Sequence, residues 1–406
     1  MSTPSTGQRA GLWFAISLAL VTILGPSGTD MYLASLPEMV EELNSAPAQG
    51  QLTLTVYLLA MGAGQLVFGP VIDALGRRWP LLLALVAFFG GSLWAAASGD
   101  IGSLLGARLM QGLAASMTLV VAMSMVRDRA DGVRAAQLFA LLMTIEGLAP
   151  VLAPTLGGFI DAAWGWRAVM LALAGLAAIA LANSVVSLPE SLPLAQRSSL
   201  RFGSVARTYV RIAKDSAFLL PALGLSSVFF FLFGYIGGAT FIYQGVFRLS
   251  SEAFGLVFGG TGLAVMIGAL VSARSVSRLG ANKLSVIGAS AIALGTAISL
   301  IATVAGFGLV GVVSGMFVAL LGVGIAESTL MALAMSSQKV SLGSTAALLG
   351  AFQLIISSAA TPLVGAIVPA GPLAWVGLLG ATAAIAVAIV SISAVRAPAL
   401  TNLASH

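Results

Sequence analysis

Twelve apolar stretches, each longer than the ~20 residues a helix needs to cross a bilayer, follow one another with few charges inside them. They fall at about 11–35, 49–72, 79–99, 102–126, 135–162, 167–188, 217–243, 252–273, 284–304, 307–335, 343–369 and 373–395. No water-soluble core accommodates such a pattern. Apolar residues make up 59% of the chain and charged residues 8%, against about 25% charged in a soluble domain. The short alternating strands of an outer-membrane barrel are missing. The expectation is an all-α integral membrane protein with twelve transmembrane helices.

The longest polar stretch runs from 189 to 216 and separates six spans (1–188) from six more (217–406). Its basic and apolar residues alternate (Arg197, Arg201, Val205, Arg207, Tyr209, Arg211, Ile212, Lys214). This pattern suits either a helix lying on the membrane surface or a plain linker. If both termini lie in the cytoplasm, that side collects every Lys and Arg except Arg108, Arg167 and Arg248. The positive-inside rule therefore selects this orientation. The net charge of +5 reports topology rather than nucleic-acid binding. The first span reads as retained, since no small-residue cleavage site follows it. The chain has no Cys, and its single His is His406. Thiol chemistry and a metal site are therefore not expected, and no cofactor is expected beyond a proton gradient as energy source. No nucleotide-binding loop is present, and with no internal His an embedded enzyme is disfavoured.

Charges inside apolar spans are costly and mark function by default. Four stand out: Asp30, Arg108, Glu146 and Glu327. Asp30 lies ~28 Å from the cytoplasmic end of span one, and Arg108 ~9 Å from the periplasmic end of span four. Their depths permit a direct or water-bridged approach, in which an always-charged Arg tunes the proton affinity of the acid. Glu146 lies ~18 Å into span five, near the midplane, where it can take a proton or meet a cationic substrate. Glu327 lies in the cytoplasmic half of span ten. Tyr32, Tyr57, Met61, Phe233 and Tyr235 are candidates for a substrate cavity, alongside Glu327.

The halves echo each other. Gly69-Pro70-Val71-Ile72-Asp73-Ala74-Leu75-Gly76-Arg77-Arg78 follows span two, and a second Gly-containing basic loop, Ser272 to Lys283, follows span eight. Such internal symmetry is expected of transporters built from repeated bundles. The first loop resembles the hallmark loop of the major facilitator superfamily, Gly-x-x-x-Asp-(Arg/Lys)-x-Gly-(Arg/Lys)-(Arg/Lys), with Ala74 where a base is usual. The resemblance implies two pseudo-symmetric six-helix bundles. It also implies conformational gating by Gly69, Asp73, Gly76, Arg77 and Arg78, with Asp128 a partner for Arg77. Asp73 can otherwise face the positive N-terminus of span eleven near Gly343 and Ser344.

Arg108-Leu109-Met110-Gln111-Gly112 resembles a second family motif, in which the Arg is linked to proton transfer. Gly147, Pro150, Pro154, Gly157 and Gly158 in span five resemble the motif of the antiporter branch, where small residues and prolines allow a bent, tightly packed helix. Asp30-Met31-Tyr32-Leu33, Leu36-Pro37, Gln51-Leu52-Thr53-Leu54-Thr55, Gly64-Gln65 and Arg127-Asp128 are similar to the Bcr/CflA drug-resistance subfamily, which includes bicyclomycin and phenicol exporters. That likeness makes Asp30 the leading proton-linked acid. Some relatives carry a second acid two turns earlier in span one, where this chain has Thr22. The implied function is a drug/H+ antiporter of the bacterial inner membrane working by alternating access as a monomer and acting on hydrophobic or amphipathic substrates. The alternative on the same fold is a carrier for sugars, organic acids or other metabolites.

Overall fold

A computed structural model describes residues 6–130, 132–197, 200, 202–338 and 341–396. The expectations placed on Arg201, Lys339 and His406 lie outside the described residues. Eleven helical segments among them are long and apolar enough to cross a membrane. One, Gln137–Ser187, has 51 residues, more than twice the length a bilayer requires. It reverses at Gly165, whose φ of 76° belongs to the left-handed region that glycine enters without a Cβ clash. Twelve spans result.

They are span 1 (Trp13–Glu42), span 2 (Pro47–Leu75), span 3 (Arg78–Ala96), span 4 (Ile101–Arg129), spans 5 and 6 on either side of Gly165, span 7 (Ser216–Val246), span 8 (Ser251–Leu279), span 9 (Ala281–Val304), span 10 (Gly308–Ser336), span 11 (Leu342–Ala370) and span 12 (Pro372–Arg396). Span 1 runs seven residues past the sequence-based limit of 35. Its extension, Leu36–Glu42, has Pro37 in its first turn, where a missing N–H costs nothing.

Spans 1–6 pack among themselves, as do spans 7–12. The two groups meet chiefly along spans 2 and 11 and spans 5 and 8. Lipid tails provide no hydrophobic drive between helices, so close backbone approach holds such bundles together. Within the second group, Gly288 and Gly322 let spans 9 and 10 touch backbone to backbone: a Cβ on Gly288 would stand 2.6 Å from the Ala326 nitrogen. Large apolar side chains such as Val186, Val310 and Val395 point outward, as a lipid-solvated surface requires. Exposed Trp79 and Trp164 sit at opposite ends of the bundles, the level at which amphipathic rings meet headgroups.

The segment between spans 6 and 7 contains a helix, Phe202–Lys214. It does not lie free on a membrane surface. Ile212 is buried, the helix packs on spans 7 and 11, and the Tyr209 hydroxyl donates to the Leu66 carbonyl in span 2 at 3.1 Å. The end of the molecule carrying this segment is termed the linker face below.

Candidate functional site

Span 1 is broken where its acid sits. Helix Leu24–Asp30 ends at Asp30, and one 3₁₀ turn, Leu33–Ser35, precedes the final helical piece. A helix end leaves its last carbonyls without intrahelical partners. Met31 N–H takes the Ser27 carbonyl at 3.0 Å, and Arg108 takes the next: its Nη2 donates to the Gly28 carbonyl at 2.6 Å. Its Nη1 donates to Gln111 Oε1 at 2.8 Å, and Gln111 Nε2 donates to Ser92 Oγ at 2.8 Å. The guanidinium lies 4.3 Å from the ring centres of both Tyr32 and Tyr57. Two aromatic faces thus stabilise a fully buried charge, and each such contact is worth up to ~2 kcal/mol when desolvated.

The rings are themselves fixed. Tyr57 OH donates to the Gly25 carbonyl at 2.9 Å, and Tyr32 OH lies 3.1 Å from Thr53 Oγ1. Arg108 is wholly buried and Asp30 is 6% exposed. They do not form an ion pair: Arg108 holds the backbone two residues before Asp30, and its Nε has no hydrogen-bond partner among the described residues. Tyr32 and Tyr57 therefore serve as walls of the arginine site. Met61, partly buried, reaches toward Gly25 on the same side of span 1.

Span 5 lies against this break. A Cβ on Gly157 would overlap the Met31 carbonyl, and one on Gly158 the Ser251 carbonyl of span 8. A Cβ on Gly262 of span 8 would come within 2.9 Å of the Pro150 carbonyl. Thr155 shares its hydroxyl between the carbonyls of Val151 (2.9 Å) and Gly255 (3.1 Å). Pro154, through its carbonyl, faces Gly255 in the same seam. Gly147 stands apart: a Cβ there meets nothing within 4 Å. The Pro/Gly pattern is thus a backbone seam between bundles on the half of span 5 farther from the linker face.

The Gln51-to-Thr55 segment closes the same half, a role its sequence did not disclose. Gln51 Nε2 donates to the Gly237 carbonyl of span 7 at 2.5 Å, and Thr55 Oγ1 lies 2.5 Å from Thr361 Oγ1 of span 11. Gln244 Nε2 of span 7 reaches the Ala34 carbonyl at 2.9 Å. A run of one amide and two hydroxyls, spaced by two in an apolar span, was the available signal: Gln51 and Thr55 cross to the other group while Thr53 faces Tyr32.

At the linker face the charged loop forms a compact network. Arg77 pairs with Asp73 (2.7 Å) and Asp128 (3.1 Å). Gly76 has φ of 93°, and a Cβ there would overlap Glu190. Glu190 accepts from the backbone N–H of Arg77 at 2.8 Å and of Arg78 at 3.3 Å. Arg78 donates to the Val185 carbonyl at 2.9 Å. Partial burial alone raises the Glu190 carboxyl, but the N–H donors of Arg77, Leu192 and Arg78 together with the Arg197 charge outweigh it and hold the group below its ordinary value of 4.5. Glu190 was not among the sequence candidates. Its signal was an acid directly after a span in an otherwise basic stretch. A Cβ on Gly69 would meet nothing within 4 Å. Gly343 lies beside Arg127 rather than Asp73, its Cβ position 2.9 Å from Arg127 Nη1.

Phe233 and Tyr235 are buried in the second bundle. Tyr235 stacks between Phe258 and Trp375 at centroid separations of 5.5 and 6.2 Å, with its OH 2.9 Å from Thr261 Oγ1. This cluster packs spans 7, 8 and 12 together. Glu146 and Glu327, one from each bundle, are both only partly buried at membrane depth.

Known proteins share this architecture. The chain is 34% identical over 369 residues to the uncharacterized MFS-type transporter YdgK of Bacillus subtilis, covering 90% of this chain and 91% of that one. It is 27% identical to a bicyclomycin resistance protein homolog of Haemophilus influenzae, over 68% of this chain and 69% of the relative. The crystal structure of a D-xylose-proton symporter superposes with a TM-score of 0.75 at 15% identity, covering 93% of this chain and 97% of that one; at that identity the likeness concerns the fold. The Major Facilitator Superfamily model matches residues 18–362, a range that takes in the broken first span, the arginine site, the Pro/Gly seam and the charged loop. With two bundles joined as the fold requires, the chain belongs to the Major Facilitator Superfamily.

Proposed function

We propose that this protein exports hydrophobic or amphipathic antimicrobial compounds in exchange for protons by alternating access. The observation that carries the reading is Asp30, a buried acid without an ion-pair partner among the described residues, at the break of span 1. A lone carboxylate is costly at this depth unless its protonation changes with the cycle. Arg108 holds the backbone at Gly28, two residues before it, with its Nε unpartnered among the described residues. In the proposed cycle Asp30 takes a proton from the outer side, cargo leaves outward, and the proton passes to the cytoplasm as the bundles rock. Arg108 keeps its charge throughout, because its guanidinium is always protonated. A potential of ~100 mV adds ~2.3 kcal/mol for each charge moved inward.

The resistance-protein relative supports the export reading, as does the span 5–span 8 seam, which blocks leak along one half of the interface. In this reading the linker face and both termini are cytoplasmic, the membrane is the bacterial inner membrane, and the working unit is a monomer. Asp73, Arg77, Arg78, Asp128 and Glu190 latch the loop of the first bundle and break as the cavity changes sides.

The test is a susceptibility panel of amphipathic antibiotics on cells expressing the protein, paired with liposomes carrying the purified chain. Wild type confers resistance and couples cargo movement to a pH gradient, and Asp30→Asn abolishes both. Coupled transport that survives Asp30→Asn would remove Asp30 from the mechanism. Cargo movement by wild type with no proton countermovement would end the antiport reading.

A further inference from the structure

Span 2 carries a proline near its linker-face end. Pro70 has no N–H, so the Leu66 carbonyl, one turn earlier, loses its intrahelical donor. In a spanning helix a neighbour commonly satisfies a group freed in this way. Here the neighbour is the linker: the Tyr209 hydroxyl donates to the Leu66 carbonyl at 3.1 Å.

The helix that carries Tyr209, Phe202–Lys214, is fixed to the second bundle. One residue, Asp215, separates it from span 7. Asp215 Oδ1 accepts from the Ala217 N–H at 2.9 Å, and its Oδ2 accepts from Gln338 Nε2, just past span 10, at 2.7 Å. Ile212 is buried, and the helix packs on spans 7 and 11. The start of the linker is held by the first bundle instead. Glu190 accepts from the N–H groups of Arg77 and Arg78, and Ser191 Oγ donates to Asp128 Oδ2 at 2.7 Å. Tyr209 therefore reaches back across the interface, from a helix fixed to one body to a carbonyl of the other.

We infer that Tyr209 is a state-selective hold between the bundles. Its hydroxyl fastens the linker helix to the proline-freed carbonyl of span 2. It thereby favours the conformation in which the half farther from the linker face is sealed. Both features occur together here: Gln51 of span 2 holds Gly237 of span 7 while Tyr209 holds Leu66. A hydrogen bond does not survive stretching to ~3.6 Å, so rocking that shifts the linker helix against span 2 releases it. The inference rests on the rocking in the exporter reading and adds a residue that sets its balance.

The test places spin labels on Val186→Cys and Val395→Cys, at the outward-pointing linker-face ends of spans 6 and 12, in the purified full chain in lipid discs. Wild type shows two distances, one for each state. Tyr209→Phe keeps the ring and removes the donor. It lowers the population of the state seen here about two- to tenfold against the other. Pro70→Ala supplies an N–H at position 70 and gives Leu66 an intrahelical donor. In that background Tyr209→Phe moves the ratio far less, which a purely structural role for the ring would not produce. Arg207→Gln, an exposed change on the same helix, leaves the ratio as in wild type. An unchanged ratio in Tyr209→Phe, or an equal shift in both backgrounds, overturns this inference alone. A single distance in wild type at acid and alkaline pH removes the rocking itself, and this inference with it.

Discussion

Arg108 holds the carbonyl of Gly28, not the carboxylate of Asp30, at 2.6 Å. The arginine thereby ties span 4 to the break in span 1 by backbone, and the acid two residues later is left to change its protonation without losing that tie. In the proposed antiport cycle, coupling falls to Asp30 and the structural tie to Arg108.

Arg108→Lys is expected to abolish most export while the protein still inserts. An ammonium cannot reach Gly28 and Gln111 together while stacking between two rings. Export assayed beside expression level and monodispersity checks this; full activity in the Lys variant would show that a point charge suffices.

Gln51→Ala should remove the one hydrogen bond it makes from span 2 to the Gly237 carbonyl of span 7, costing about 0.5–1.5 kcal/mol in the state seen here. The population then shifts toward the state in which spans 2 and 7 have parted. The chain has no Cys, so two introduced cysteines carry the only spin labels. Distances across this end should lengthen in Gln51→Ala, and an unchanged distribution contradicts the latch.

Gly157→Ala pushes a methyl group into the Met31 carbonyl. A backbone atom cannot rotate away, so spans 1 and 5 must separate, at about 1–3 kcal/mol. Lower thermal stability and loss of export are expected. Gly147→Ala, where space is open, is expected to match wild type in stability.

Glu190 gives a pH signature at the linker face. Its folded-state affinity for protons lies below the ordinary 4.5, so its stabilising contribution is complete above that value and is lost as the pH falls through the folded value. The group is partly solvated, which limits the effect to about 1 kcal/mol or less. Melting curves from pH 7 to pH 3 should show an acid-side decline that is shallower in Glu190→Gln. Identical slopes would show that the backbone contacts do not depend on its charge.

Much of the site was legible along the chain. Asp30, Arg108 and Gln111 stand out because charge and amide groups are scarce in apolar spans, and the Asp73-to-Arg78 spacing marks a turn with paired charges. The Arg77–Asp128 contact follows from two loops on one face. Other features were silent for a physical reason. Gln51 and Gly237 are 186 residues apart, and only the docking of two separately formed bundles makes them partners. Glu190 joins the loop because Gly76 turns the backbone N–H groups of Arg77 and Arg78 toward it. The surface-helix pattern at 202–214 was readable, but its docking through Tyr209 was not.

Hydrophobic length and charge scarcity by themselves determined that this chain crosses a membrane twelve times and which groups are too costly to be accidental. Each helix satisfies its own backbone, so those properties are local. Which carbonyl Arg108 takes, which glycines touch across the interface, and which polar groups of spans 2, 7 and 11 meet were decided by tertiary packing alone. Between bundles the surviving contacts are short-range backbone approaches and single polar pairs, and these exist only once two rigid bodies have been set side by side.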